Sequence, residues 1–557
     1  MHCYLGKTSL ISALGGEVET IASIEKGDTG LAYSNKYKAV VGEIPSYLLD
    51  NSLLGFTKFE ALTIQNIKNV LNTKDCVGSD TLLILSTTKG NVHLLENNTT
   101  EVSADCFLYS TAEKIANYFS FSRKPIVISN ACISGVSAFV VARNMMLFDV
   151  QLNNVVIVGC DILSEFIVEG FRSFKSISSK PCKPYDAGRD GLSLGEACGA
   201  VLLTKDINLA VKPIIELKGG AVTNDANHIS GPSRTGDGLY YAMKQALCMA
   251  DINFNDVKYI NMHGTATLYN DEMESKAIQW SQCKDVPMNS FKGYIGHTLG
   301  ASGVVETILC LHQMRYNKIF ATKGFEKLGT PCKVNVSAVH RNAADVDVCV
   351  KTASGFGGCN AAIVLVKNTS NDNQVADSDS SICNDKINIV AEYSLPSSDN
   401  LFADFIRDEY KKLNLSYMKF YKMSDLSKAL FVAMENIISQ YPDFKNIDPR
   451  RIAIIISNRV SSLEADVQHQ EVVNKHLEEG ASPSVFVYTL PNVAVGEVCI
   501  KHKIKGDNTF FIENENSGLA DYYSRQLIAN DIADAAVCGW CDKWNNSWNV
   551  NLKIITK

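Results

Sequence analysis

Three residues, each at the end of an apolar run, have the types needed for nucleophilic catalysis. In "PIVISNACISGVSAFVVARNMM" (125–146) a strand pattern ends at Asn130-Ala131 and a helix pattern begins around Cys132-Ile133. A cysteine at a helix start sits near unpaired N–H groups and the positive dipole end, which favour thiolate and lower its pKa. The same N–H groups can hold an oxyanion. "YINMHGTATLYNDEMES" (259–275) puts His263 just after an apolar strand, followed by Gly264, Thr265 and Thr267. "NSFKGYIGHTLGASGVVETI" (289–308) puts His297 in a glycine-rich loop that opens a helix, with Lys292 just upstream. Either histidine alone reads as structural. Two of them at strand ends beside glycines, with Cys132 at another strand end, is a narrower coincidence, because ligands of open α/β sheets gather at strand C-termini. In "ASGFGGCNAAIVLV" (353–366) a glycine-rich turn precedes a strand, and its backbone N–H groups could approach a ligand closely.

A second group of polar residues reads differently. "TFFIENENSGLADYYS" (509–524) places Glu513 and Glu515 where a strand hands over to a helix. They invite a reading as a carboxylate pair or a metal site. The acidic and basic residues of "KPYDAGRDGLSLGEACGAVLL" (183–203), Asp186, Arg189, Asp190 and Glu196, read as a structural ion-pair network. "CGWC" (538–541) has redox-pair or zinc spacing, yet no second cysteine pair accompanies it.

These residues must be carried by layered α/β elements. "TLLILSTT" (81–88), "KPIVISN" (124–130), "NVVIVGCD" (154–161) and "ACGAVLLTK" (197–205) read as buried strands. Helical spacing appears between them at 112–119 and 136–148, the alternation of an α/β fold. A chain of 557 residues exceeds one compact core, so two or more domains are expected. The polar, acidic stretch 368–385 reads as a flexible linker, and strand-like runs resume beyond it. A formal charge of −7 gives no support to nucleic-acid binding. No signal peptide and no membrane span is read from the sequence. The 17 cysteines lie mostly singly in apolar runs, as buried free thiols do, which points to a reducing, cytoplasmic compartment.

Cys132 in "NACISG", His263 in "HGTAT", Lys292 and His297 in "FKGYIGHTLGASG", and the "GFGGCNAA" turn, in this order and spacing, resemble a β-ketoacyl-acyl carrier protein synthase. The resemblance spans roughly residues 1–367. It implies the thiolase-like fold: two similar α/β halves, about 1–205 and 206–367, in a five-layered α-β-α-β-α core, usually dimeric. It implies a Cys-His-His elongating enzyme. Cys132 would take the acyl group from the 4'-phosphopantetheine thioester of an acyl carrier protein. His263 and His297 would donate hydrogen bonds to the thioester carbonyl of malonyl-carrier protein as it loses CO2. Lys292 would order the site through Glu306. The N–H groups of Cys132 and Phe356 would form the oxyanion hole, with Phe356 also gating, and Thr265 and Thr267 would bind the pantetheine arm. No metal and no bound cofactor is implied. Ile133, Ala266 and Cys359 depart from commoner choices in ways expected to touch pocket shape, and the short start before "YLGKTSLISALGG" suggests a frayed edge.

The end of the chain looks like a partial repeat. "KPIVISNACISG" (124–135) lies over "DNTFFIENENSG" (507–518) without a gap, and Cys132 falls on Glu515. "TLLILSTTKGNVHLLEN" (81–97) resembles 451–467, and "VVIVGCD" (155–161) resembles 535–542. Residues 386–557 therefore resemble the N-terminal half of a synthase without its nucleophile, a half-thiolase-like unit similar to a chain-length factor. The expected activity is decarboxylative condensation in a specialised fatty acid, polyketide or aryl-polyene-type pathway. The expected partners are acyl- and malonyl-loaded carrier protein and a second synthase-like subunit, in a homodimer or heterodimer. The alternative is a non-catalytic, chain-length-factor-like subunit that shapes another synthase's tunnel.

Overall fold

Val- and Ile-rich runs bounded by polar turns form strands where those patterns lie. The computed structural model describes residues 2–71, 78–97, 100–368, 387–475 and 481–557. The linker expected over 368–385 falls outside them except for Asn368.

A first set of elements runs β1 (Tyr4–Ser12), α1 (Lys58–Val70), β2 (Thr81–Ser86), α2 (Leu108–Tyr118), β3 (Ile126–Ile128), α3 (Ser134–Phe148), β4 (Asn154–Asp161), α4 (Glu165–Ser173) and β5 (Ala197–Thr204). A second runs β6 (Ile215–Asn224), α5 (Asp237–Ala250), β7 (Tyr259–Asn261), α6 (Leu268–Ser281), β8 (Met288–Asn289), α7 (Ser302–Tyr316), β9 (Val348–Gly355) and β10 (Cys359–Lys367). The third runs β11 (Asn388–Ser394), α8 (Asp425–Ser439), β12 (Ile452–Asn458), α9 (Leu463–Lys475), α10 (Pro483–Val487), α11 (Asn492–His502), β13 (Phe510–Ile512), α12 (Leu519–Ala529), β14 (Ala535–Trp544) and β15 (Ser547–Thr556).

The strand orders are β1-β5-β4-β2-β3, β6-β10-β9-β7-β8 and β11-β15-β14-β12-β13, one topology used three times. In the first two sets, α1 and α2 cover the outer face of one sheet and α5 and α6 that of the other. Helices α3 and α7 pack together between the sheets, which gives the α-β-α-β-α layering. The middle layer explains a helix that is apolar all round. Ala131–Phe148 is the one helical stretch among the described residues apolar and long enough to cross a membrane, and 78% of it is buried inside the protein.

The third set continues the sheet at β3. Strand β13 pairs antiparallel with β3, Phe511 opposite Ile128 and Ile512 opposite Val127. Asn130 reinforces the join from its side chain, donating to the Asn508 carbonyl at 3.0 Å and accepting from the Phe510 N–H at 2.7 Å. The order of the first and third sets is thus mirrored about the β3-β13 pair.

Register supports the ungapped overlay. Ser86 pairs with Ile128, and Ser457 pairs with Phe511. Asp161 accepts from the N–H groups of Thr88 and Lys89, and Asp542 accepts from those of Arg459 and Val460. The third set lacks one excursion: residues 162–196 separate β4 from β5, whereas Asn545-Asn546 alone separate β14 from β15.

Two sequence expectations are corrected. The first strand is not frayed: β1 pairs with β5 from Tyr4 to Ser12. Ile133 is fully buried in the core between the sheets rather than lining a pocket. The cysteines at described positions are free thiols, and Cys538 and Cys541 are both buried in β14.

Candidate active site

Two equivalent turns build the site. Strand β3 ends in a turn over residues 129–133, and α3 starts at Ser134; the segment after β8 turns through His297, and α7 starts at Ser302. Ala131 and Leu299 hold left-handed backbone, φ 48° and 51°, at matching places in the two turns. Gly135 and Gly303 let the turns touch. A Cβ on Gly303 would lie 2.2 Å from the Val136 nitrogen. This contact brings Cys132 and His297 together, although 165 residues separate them: Cys132 Sγ lies 3.1 Å from His297 Nε2.

His263 follows β7 and stands edge-on to His297, ring centroids 5.0 Å apart. Its backbone N–H and that of Gly264 donate to the Glu274 carboxylate on α6, at 2.7 and 2.8 Å. Its outer nitrogen, Nδ1, faces the Lys292 ammonium at 3.4 Å, and Lys292 also donates to the His263 carbonyl at 2.5 Å. An ammonium can only donate, so Nδ1 carries no proton and Nε2–H faces the pocket.

Behind the histidines lies a buried charge cluster. Glu306 on α7 accepts from Lys292 at 2.7 Å and from Lys351 on β9 at 2.5 Å. Burial favours the neutral acid of Glu306, but the two ammonium groups outweigh it and hold the carboxyl below its usual range. Two cations against one anion leave a net positive charge beneath the pocket floor. Burial first, and then Lys292, lowers the pKa of both His263 and His297 well below the usual imidazole value, so both are neutral.

Cys132 corrects a sequence expectation. A helix start was expected to lower its pKa, but burial dominates and pushes the thiol up to about 12. The resting pair is a thiol and a neutral imidazole.

Cys132, His263 and His297 line one cavity of about 340 Å³, with Thr265, Thr267 and Phe356. The Thr265 and Thr267 hydroxyls lie 2.9 Å apart. Phe356 stacks on Phe171, centroids 6.1 Å apart. Gly355 brings this turn against Cys132, since a Cβ there would lie 3.1 Å from the Cys132 nitrogen. Of the three departures, Cys359 lines the cavity, and Ala266 does not. The sulfur and ring nitrogens of the trio lie within 4.8 Å of one another, a spacing a metal ion could bridge. The Lys292 ammonium beside one ligand and the net positive charge below oppose a cation there.

The third set of elements reaches this site. Behind Cys132, a cavity of only about 20 Å³ is walled by Ile167, Phe171 and Leu299 on one side and Phe486, Thr489 and Leu490 on the other. Phe486 presses against Gly170, where a Cβ would lie 2.1 Å from its ring. Lys89, fully buried, anchors this segment through Asp466 at 2.6 Å and the Thr489 carbonyl. Asn492 donates to the Phe356 carbonyl at 2.8 Å.

The remaining sequence candidates lie elsewhere. Glu515 is exposed and pairs with Lys124, and Glu513 accepts from Ser517; neither faces a histidine. Asp186, Glu196 and Arg189 hold backbone groups, and Asp190 accepts from Ser178. Lys351, Glu274, Asp161, Ser302, Phe486 and Asn492 were missed. Only Lys351 left a trace, a lysine inside the otherwise buried strand "DVCVKTA".

Paired five-stranded halves around two buried helices, with a cysteine at one helix start and a histidine at the other, define the thiolase-like fold class. Residues 81–207 match the family model of the beta-ketoacyl synthase N-terminal domain, and residues 214–326 that of the beta-ketoacyl synthase C-terminal domain. The 3-oxoacyl-(acyl-carrier-protein) synthase 2 of Rhizobium meliloti is 33% identical over 214 residues, 36% of this chain and 50% of that protein. The Staphylococcus aureus protein of the same name is 30% identical over 217 residues, 37% of this chain and 52% of that protein. The chain thus spans about half the length of these relatives. Among solved structures, the PfaC keto synthase–chain length factor aligns with 100% of this chain and 78% of its own, TM-score 0.80 at 13% identity. The ketosynthase ApeO in complex with its chain length factor ApeC, from Xenorhabdus doucetiae, aligns with 66% of this chain and 98% of its own, TM-score 0.58 at 22% identity.

Proposed function

We propose that this protein is a β-ketoacyl-acyl carrier protein synthase that joins a Cys132-bound acyl group to malonyl-carrier protein. The observation that carries this reading is the 3.1 Å contact between Cys132 and His297 in a cavity shared with His263. In the first stage the Cys132 sulfur attacks the acyl thioester carbonyl, and the pantetheine thiol leaves with a proton. The backbone N–H groups of Cys132 and Phe356 would receive the tetrahedral oxyanion. Thr265 and Thr267 would hydrogen-bond the pantetheine arm, which belongs to the carrier and is not a resident cofactor. In the second stage the malonyl C–C bond breaks, CO2 leaves, and the electron pair enters a thioester enolate. His263 and His297 would stabilise its oxygen; each such donor contributes about 3 kcal/mol. The enolate carbon then attacks the acyl carbonyl and Cys132 departs as the thiolate, giving a β-ketoacyl product two carbons longer.

We read residues 1–367 as the synthase unit and 386–557 as a built-in, chain-length-factor-like companion. It pairs with the β3 edge beside the nucleophile turn, and Phe486 closes the space behind Cys132. The whole-chain likeness to a keto synthase–chain length factor supports a specialised fatty acid or polyketide-type pathway. Intact-protein mass spectrometry after incubation with acyl-carrier proteins of graded length tests both points. Wild-type protein should gain a single adduct at Cys132. Phe486→Ala should extend the range of acyl groups accepted to longer chains. A wild-type protein that acquires no adduct from any of them would sink the reading.

A further inference from the structure

The three helix starts share a Ser-Gly signature: Ser134-Gly135 on α3, Ser302-Gly303 on α7 and Ser517-Gly518 before α12. In the first, the Ser134 hydroxyl bonds within its own turn. It accepts from the Asn130 N–H at 2.8 Å and donates to the Ala131 carbonyl at 2.6 Å. In the second, the Ser302 hydroxyl likewise accepts from a backbone N–H, that of Thr298, at 3.1 Å. Its remaining capacity goes to side chains: His297 Nδ1 at 3.1 Å and the Thr298 hydroxyl at 3.1 Å. Ser302 and Thr298 are both buried, so water does not compete for these contacts.

This wiring can serve either tautomer of His297, and the contact with Cys132 decides between them. A Cys132 thiol 3.1 Å from Nε2 has its hydrogen to donate, and two hydrogens cannot occupy that gap. The ring proton therefore sits on Nδ1 and points at Ser302, whose own hydrogen turns to Thr298 Oγ1. His263 is wired the opposite way, with the Lys292 ammonium on Nδ1.

We propose that Ser302 is a positioning residue that holds His297 as the Nδ1–H tautomer, leaving Nε2 to accept the Cys132 proton during acyl loading. As sulfur attacks the thioester carbonyl, its proton moves to Nε2, and the Nδ1–H bond to Ser302 holds the imidazolium in place. When the pantetheine carbon–sulfur bond breaks, the departing thiolate takes that proton from Nε2, and His297 returns to its starting form. The 3.1 Å approach of Sγ to Nε2 puts the thiol proton within direct reach of this base. The hydroxyl does not obstruct the second stage. Turned about, it donates to Nδ1 and accepts from Thr298 Oγ1, which fits the Nε2–H form once the ring proton has exchanged with water.

The inference rests on the condensing reading, and the test separates the two. Ser302→Ala removes the acceptor on Nδ1 and favours the form with hydrogen on Nε2. Acyl loading of Cys132, followed by rapid-quench mass spectrometry, should slow at least about tenfold, part of the contribution of a general base. Release of CO2 from malonyl-carrier protein by the same variant, with Cys132 blocked by iodoacetamide, should fall by a smaller factor than acyl loading does. Ser302→Thr, which keeps the hydroxyl, should restore loading. Equal loss in both partial reactions, or unchanged loading, would overturn the role of Ser302. Alkylation of Cys132 by iodoacetamide reads the thiol–imidazole pair without any carrier. It should slow about tenfold in Ser302→Ala even if no acyl group ever loads, and an unchanged rate would also overturn the proposal.

Discussion

The turn "SNACISG" and the turn "IENENSG" occupy matching places in the first and third sets of elements, yet only the first is a site. The strand register leading into them is the same, with Ile128 and Phe511 each four residues ahead of Cys132 and Glu515. What differs is what faces the turn. Cys132 meets a second sheet and a second buried helix, which supply His297, His263 and the Lys-Glu-Lys cluster behind them. Residues 514–516 are exposed, and among the described residues Glu515 pairs with Lys124 across the β3-β13 junction. A helix start does not make an active site. The opposing half supplies the base, the donors and the burial.

The sharpest way to break this comparison is to move the nucleophile. Cys132→Ala should abolish acyl loading, and combining it with Glu515→Cys should restore nothing, because position 515 has no imidazole within reach. Mass spectrometry after incubation with an acyl-carrier protein reads both variants. An acyl adduct at position 515 would show that the turn alone suffices.

Charge gives the next largest contrast. Glu306 is buried between two ammonium groups. Glu306→Gln should destabilise the protein by about 3–5 kcal/mol, the cost of leaving a buried charge without its partner. It should also bring the two positive charges into direct conflict beneath His263. Chemical denaturation measures the first effect, and CO2 release from malonyl-carrier protein the second. A variant with unchanged denaturation midpoint and decarboxylation would show that the cluster is not what holds the histidines.

The same contrast sorts what the sequence made legible. Cys132, His263 and His297 stood out because each ends an apolar run beside glycines, where strand C-termini open onto a ligand space. The third set of elements was legible as a repeat because strand positions carry their pattern whether or not a site survives. Lys351 was hidden by its setting. In a two-residue alternation, a lysine reads as a chain leaning out to solvent, and nothing local shows that Glu306, 45 residues away, takes its ammonium. Glu274 read as one of several acids on a helix, because its role depends on α6 folding back onto the backbone of His263. The direction of the Cys132 shift was missed for a related reason. The helix start is local and visible, whereas the burial that outweighs it comes from both sheets at once. The approach of Phe486 and Asn492 to the site depends on β13 joining β3, a pairing of two three-residue strands with no signature of its own.

The smallest effect completes the comparison from the other side. Glu515 forms its ion pair with Lys124 on the surface, where water screens both charges and little is gained by holding two mobile side chains together. Each partner shifts the other in the expected direction: Lys124 holds the Glu515 carboxyl below its ordinary range, and Glu515 raises the Lys124 ammonium. The carboxyl would keep its charge to lower pH than a free glutamate, so any contribution is present above the ordinary carboxylate pKa and fades as pH falls through the depressed one. Solvent screening of this exposed pair keeps that contribution small at every pH. Glu515→Gln should therefore leave the melting temperature and the acyl-loading rate unchanged within error, in contrast to Glu306→Gln. A drop in loading rate on this substitution would mean that the junction between β3 and β13 transmits to Cys132. The exposed copy of the turn would then be part of the working site instead of a position the chemistry has left.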